Sequence, residues 1–334
     1  MASQTVAEHR MYLPLVAVVV AVVCLIQAVA KRFSVLISLP LALIAGILAV
    51  HRNDTYRSEL ALWSDTVSKS PQNPRAFVNL GGVLLEQGRV NDALEKFTQA
   101  ERLAPLSPEV HANLCHAYVL LGRYAEAVVH GEKAVILEPA DADARVNLAQ
   151  ALSRVDRVSD AVEQYEAALR LEPEAIDLHV TLGDLYVRMG RFDSAISHYQ
   201  AALASETGRA EIHLKLAQVL VRAGNKEAAS YHCAEALRLN PRQADALLLS
   251  GNLHAADGNF RPAIHAYRQA LEVNAGLVAA RNNLANALLV SGQIDEAIIE
   301  YQEVLKSRPN DRAVLENLQR ALSLKNAGAG SGAR

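Results

Sequence analysis

Pro71, Pro105, Pro139, Pro173, Pro241 and Pro309 fall on one lattice with a spacing of 34 residues, and Thr207 and Ala275 occupy its two remaining nodes. The same lattice carries a row of alanines (Ala93, Ala127, Ala161, Ala195, Ala229, Ala263, Ala297) and a row of glycines (Gly88, Gly122, Gly190, Gly224, Gly258, Gly292). Leu80, Leu114, Leu148, Leu182, Leu216 and Leu284 form a third row. Counting each unit from Pro74, its eighth position always holds a small residue: Gly81, Cys115, Ala149, Gly183, Ala217, Gly251 and Ala285. No insertion breaks this register. A unit of that size cannot bury its apolar face alone, so the chain must fold as a stack of near-identical units.

Each unit reads as two amphipathic helices joined by a short turn. Glycine ends the first helix, and Asn91, Ser159, Asp193 and Asp295 are placed to cap the second. The small residues let paired helices approach, while leucine and an aromatic position (Phe97, Tyr165, Tyr199, Tyr267, Tyr301) fill the space between them. Proline stops each second helix, because it lacks an N–H and restricts the residue before it. With five Phe and one Trp in 334 residues, the core must be built from Ala, Leu and Val, which suits close-packed helices. The fold class is therefore all-α. Seven repeats span 74–311. Residues 56–73, with Trp63 at the aromatic position, form a half repeat. Residues 312–325 form a capping helix and 326–334 a flexible tail.

The N-terminal region is different. After residues 1–10, two runs, 11–30 and 33–50, lack charged groups, and only Lys31 and Arg32 separate them. At 1.5 Å rise per residue each run is long enough to cross about 30 Å of hydrocarbon. Residues 11–52 are thus expected to form a two-helix transmembrane hairpin that contacts the lipid bilayer. Ala28-Val29-Ala30 imitates a signal-peptidase site, but the apolar stretch is too long for a signal peptide and a second run follows at once. The basic tip favours a cytoplasmic turn, whereas Arg10, Arg52 and Arg57 flank the opposite ends, so charge alone leaves the side open.

The period and its small/Ala/Pro pattern resemble the tetratricopeptide repeat, which implies a right-handed α-solenoid whose first helices line a concave groove. The sixth position of the units holds Asn79, Asn113, Asn147 and Asn283, each followed by leucine, with Thr181, Lys215 and Leu249 interrupting the column. This column resembles the asparagine ladder of O-linked N-acetylglucosamine transferases, and the resemblance implies amides that grip an extended peptide backbone. An amide offers both donor and acceptor, so it pairs with peptide groups irrespective of side chain. The alternative is that these asparagines bond between repeats or face water. The ninth position is polar as well (His116, Gln150, Asp184, Gln218, Asn252, Asn286), and Arg154, Arg188 and Arg222 recur at the thirteenth, where they suit a carboxylate or a solvated helix end. Acidic residues at the second position (Glu109, Asp143, Asp177, Glu211, Asp245) complement the helix dipole. The fifth position lacks the lysine that a carboxylate clamp for chaperone tails needs. A protein or peptide is the expected partner. Nucleic acid is not, because the net charge of -3 is spread through mixed-sign segments.

Motifs for catalysis are lacking: there is no phosphate-cradling loop, HExxH or G-x-S-x-G. Asp141-Ala142-Asp143 falls where the lattice already requires polar residues. His111, His179 and His213 share the fourth position but belong to separate repeats and have no carboxylate or histidine at i+4, so they read as packing residues. Cys24, Cys115 and Cys233 stand far apart in apolar surroundings. Neither a metal nor a cofactor is expected. Residues 7–14, AEHRMYLP, followed by two apolar runs and Arg57–Trp63, resemble the C-terminal part of the transmembrane-and-tetratricopeptide O-mannosyltransferase family and its bacterial relatives. That resemblance implies a bacterial inner-membrane protein with its repeats on the extracytoplasmic, periplasmic side. Two functions follow as expectations: a membrane-anchored scaffold that binds an extended peptide or partner, or the non-catalytic substrate-binding portion of a membrane O-glycosyltransferase.

Overall fold

The computed structural model describes residues 58–205 and 208–331, with Ala21, Cys24, Leu25, Pro40, Leu43 and Ile44. Among the described residues sixteen helices run from Glu59 onward. They divide between two compact units, 1–139 and 140–334. The first unit holds α1 (Glu59–Lys69), α2 (Pro74–Glu86), α3 (Val90–Leu103), α4 (Pro108–Leu120) and α5 (Tyr124–Leu137). The second holds α6 (Ala142–Arg154), α7 (Val158–Leu171), α8 (Ile176–Arg188), α9 (Phe192–Ser205), α10 (Ala210–Arg222), α11 (Lys226–Leu239), α12 (Ala244–Ala256), α13 (Phe260–Val273), α14 (Val278–Val290), α15 (Ile294–Ser307) and α16 (Arg312–Ser331).

In the first unit, Phe97 is fully buried among Leu80, Leu84, Ala93 and Leu114, and Leu60, Trp63 and Val67 of α1 pack against that core. Burying one such ring contributes roughly 2–3 kcal/mol. In the second unit, Tyr267, Leu284, Leu288 and Tyr301 belong to one core cluster, and Val314 and Ala321 of α16 close its end. Close approach depends on the eighth position. An added Cβ at Gly183 would lie 2.5 Å from the Tyr199 ring, and one at Gly251 would lie 2.4 Å from that of Tyr267.

The turn between paired helices differs from the expected one. Gly88 adopts φ 73°, its N–H bonds to Leu85 O at 2.9 Å, and Arg89 N–H bonds to Leu84 O at 2.9 Å, which is a Schellman closure. The turn is so tight that Arg89 is already the N-cap of α3. Asn91, Ser159, Asp193 and Asp295 are therefore second residues of their helices and not caps. In place of a side-chain cap, Arg89 pairs with Asp92, Arg123 with Glu126 and Arg157 with Asp160.

At the same turn of the third repeat Asp156 takes φ 64°, the one non-glycine residue in the left-handed region among the described residues. Asp156→Gly is expected to raise stability by about 0.5–1 kcal/mol, read as a higher urea midpoint.

The transmembrane hairpin expected over 11–52 is corrected. Among the described residues no helix is long and apolar enough to cross a membrane. The paired helices have 13 or 14 residues, a rise of about 20 Å against about 30 Å of hydrocarbon. The longer α16 carries Arg312, Glu316, Arg320 and Lys325. Apart from the six residues named above, 11–52 lie outside the described residues. The fold is an all-α repeat array without a demonstrated span, and the expected localisation as an integral membrane protein with periplasmic repeats is corrected with it.

Candidate functional site

In the second unit the sixth and ninth positions of successive first helices meet. Asp184 accepts Lys215 Nζ at 2.9 Å on both oxygens, and the Tyr199 hydroxyl donates to its Oδ1 at 2.6 Å. Asn252 Oδ1 accepts Asn283 Nδ2 at 2.8 Å and the Tyr267 hydroxyl at 2.9 Å. Asn286 Oδ1 accepts Asn317 Nδ2 at 3.2 Å and the Tyr301 hydroxyl at 2.6 Å. Each station thus has one acceptor held from behind by its own repeat's tyrosine and from the side by the next first helix. Burial pushes the Tyr267 and Tyr301 phenols up to about 12, and burial with the Asp184 bond pushes Tyr199 higher still. All three remain donors at neutral pH. In both asparagine stations, Oδ1 is spent while the Nδ2 of Asn252 and Asn286 faces no such demand, so each amide is oriented but retains donors.

The expected site residues are distributed unevenly over this geometry. Asp184 and Asn283 belong to the row. Asn147 is half-buried, and Gln150 and Gln218 are exposed. Arg154, Arg188 and Arg222 are exposed. Arg188 donates to Ser153 Oγ at 3.2 Å and lies 3.8 Å from Asp156, and Arg222 lines an open cleft with Arg191 and Ser194. In the first unit Asn79 and His116 are half-buried, while Asn113 turns its Nδ2 back onto Glu109 O at 2.8 Å. Asp141 serves as a helix cap, accepting Ala144 N–H at 2.9 Å. Sequence reasoning missed two members of the row. Lys215 joins it as an ion-pair partner instead of interrupting it, and Asn317 carries it onto α16. Asn317 lies one period beyond Asn283, so the lattice itself held the signal.

The fourth-position histidines also have partners. Nδ1 of His111, His179 and His213 lies 3.2, 3.0 and 3.0 Å from Nδ1 of His130, His198 and His232, respectively. Each partner stands nineteen residues on, where the antiparallel second helix returns past the first. Burial, and then the neighbouring His179, holds His198 below the usual histidine range. His232 is lowered by burial and then by His213. Glu166 and the stacked Tyr186 also face His198, and Glu235 and Tyr231 face His232. Because the folded-state values are depressed, this contribution to stability is complete above the ordinary value of about 6.5 and is lost as pH falls through the lowered ones. The melting midpoint is expected to drop between pH 7.5 and pH 5, and the drop is expected to shrink in a His198→Gln/His232→Gln variant.

Models of the tetratricopeptide repeat match residues 84–130, 142–174, 180–244 and 248–312, together more than half of the chain. Among solved structures, the C-terminal part of a TPR repeat-containing protein from Cytophaga hutchinsonii is 19% identical, with a TM-score of 0.62, over 71% of this chain and 98% of that one. YrrB, described as a TPR protein with an unusual peptide-binding site, is 19% identical at a TM-score of 0.52 over 58% and 97%. PilF of Pseudomonas aeruginosa is 20% identical at 0.53 over 64% and 97%. These likenesses carry the fold. No curated protein matches the chain, and nothing among the comparisons supports the O-mannosyltransferase resemblance. Repeat length, helix pairing and the matched models agree, and the chain belongs to the tetratricopeptide repeat family.

Proposed function

We propose that the chain is a non-enzymatic scaffold whose second unit holds an extended peptide, or an extended segment of a partner protein, along its first-helix face. In this reading residues 74–311 act as repeats, 56–73 as an entry helix and 312–325 as a cap. The observation that carries it is the pinned row Asp184–Lys215, Asn252–Asn283 and Asn286–Asn317. Amides already oriented by the fold lose little rotamer freedom when they accept a ligand, which favours binding. Exposed Gln150 and Gln218 and the thirteenth-position arginines extend the polar surface. The peptide-binding site ascribed to YrrB supports the same use of this architecture.

The test is a selection of random dodecapeptides on the purified chain, followed by titration of the selected peptides against the triple variant Asn252→Ala/Asn283→Ala/Asn317→Ala. Loss of binding with unchanged helicity supports the reading. Selected peptides that bind the variant equally well refute it.

A further inference from the structure

The three histidine pairs are not equivalent. Beside the first, in the first unit, stands a carboxylate: Glu101 Oε1 lies 3.7 Å from His130 Nδ1 and 3.9 Å from His111 Nδ1, and the two imidazole nitrogens are 3.2 Å apart. These three atoms form a compact triangle from three helices, Glu101 on α3, His111 on α4 and His130 on α5. We propose that Glu101, His111 and His130 form a binding site for one divalent transition-metal cation of the zinc type.

The geometry points to a metal in several ways. Two ligands at about 2.1 Å from a tetrahedral ion are about 3.4 Å apart, so the histidine nitrogens already have the required separation. The carboxylate needs to close by only about 0.5 Å, and Glu101, 28% exposed, lies at the open side of the site where its side chain can turn. His111 Nε2 lies 2.9 Å from the Pro105 carbonyl. That carbonyl can only accept, so the His111 proton is on Nε2 and its Nδ1 lone pair faces His130. A metal-bound histidine shows this same arrangement, its second nitrogen donating to a backbone carbonyl.

His130 is held by stacking on Tyr118, with ring centroids 5.4 Å apart, and Arg123 covers the Tyr118 ring in turn. Without metal, the proton between the two Nδ1 atoms belongs to His130. Loading moves that imidazole to its Nε2–H tautomer and places both lone pairs and the carboxylate on the ion. Two imidazoles and one carboxylate form a borderline donor set, suited to Zn2+, and the solvent side leaves a fourth position for water.

The other two pairs provide internal controls. Pro173 O accepts from His179 at 3.3 Å, and Tyr186 stacks on His198, so the second pair repeats the scaffold of the first. The lattice positions equivalent to Glu101 are Leu169 and Leu203, and although Glu166 and Glu235 face the other two pairs, among the described residues only Glu101 converges with both imidazole nitrogens of its pair. A bound ion would tie the second helix of one repeat to both helices of the next, and stacked repeats draw their stability from such nearest-neighbour links.

The test uses the full chain with any affinity tag removed, stripped with chelator and titrated with ZnCl2 by calorimetry and thermal melting. One equivalent is expected to bind and to raise the melting midpoint by roughly 5 °C at a hundredfold excess over Kd. Glu101→Gln and His130→Asn are expected to weaken binding by about tenfold or more, and His198→Asn to leave it unchanged. Anomalous scattering at the zinc edge from crystals of the unmodified chain locates the ion without relying on any variant. Absence of saturable binding at millimolar zinc, equal binding by Glu101→Gln and His130→Asn, or an ion located elsewhere would overturn the proposal.

Discussion

Gly81→Ala is expected to destabilise the chain by about 2 kcal/mol, whereas Gly82→Ala, its neighbour, is expected to stabilise it by about 0.5–1 kcal/mol. A Cβ on Gly81 would lie 2.4 Å from Phe97 Cε1 and 2.8 Å from Cδ1 and Cζ. Phe97 is fully buried among Leu80, Ala93 and Leu114, so its ring has nowhere to retreat without moving α3 away from α2. Overpacking of this kind exceeds the gain of about 1 kcal/mol in helix propensity when alanine replaces glycine. At Gly82 nothing lies within 4 Å of the added atom, so the propensity gain is realised in full. Urea titrations of the two variants, followed by circular dichroism, should shift in opposite directions. A shared sign would mean that the helix pair is not packed as described.

The triple variant Asn252→Ala/Asn283→Ala/Asn317→Ala is expected to lose roughly a hundredfold in affinity for a peptide selected on the native chain, at about 1 kcal/mol for each net hydrogen bond. Two contributions add in that figure. The amides that would meet the ligand are removed, and the Tyr267 hydroxyl loses its acceptor, so the surface behind the ligand is no longer held in place. Stability should change less than affinity, because these side chains are half-buried or exposed while the cores beneath them are apolar. Keeping Asn286 leaves an acceptor for Tyr301, which separates loss of ligand contact from loss of packing at the last station.

The histidine pairs show where sequence reading stops. His111, His179 and His213 have no histidine or carboxylate four residues on, so a search along their own helices does not find the pairing. The partner lies nineteen residues on, a separation meaningful only once the Schellman turn sets how the second helix passes the first. The caps failed for a related reason. Asn91 and Asp193 are good cap residue types, but backbone bonds close the turn two residues earlier, so their side chains start inside the helix. The expected hairpin over 11–52 was drawn from hydropathy alone, and no described helix carries it.

The sequence by itself determined the all-α class, the repeat length and the eighth-position small residues. All of these follow from periodicity, and periodicity is a property of order along the chain. Only the tertiary structure decided which polar groups are already spent on one another: that Asn283 meets Asn252, that Lys215 joins the row it was expected to break, and that Glu101 stands beside just one of three histidine pairs. Those pairings join residues on different helices, and their distances depend on helix crossing and turn closure, which no local pattern encodes.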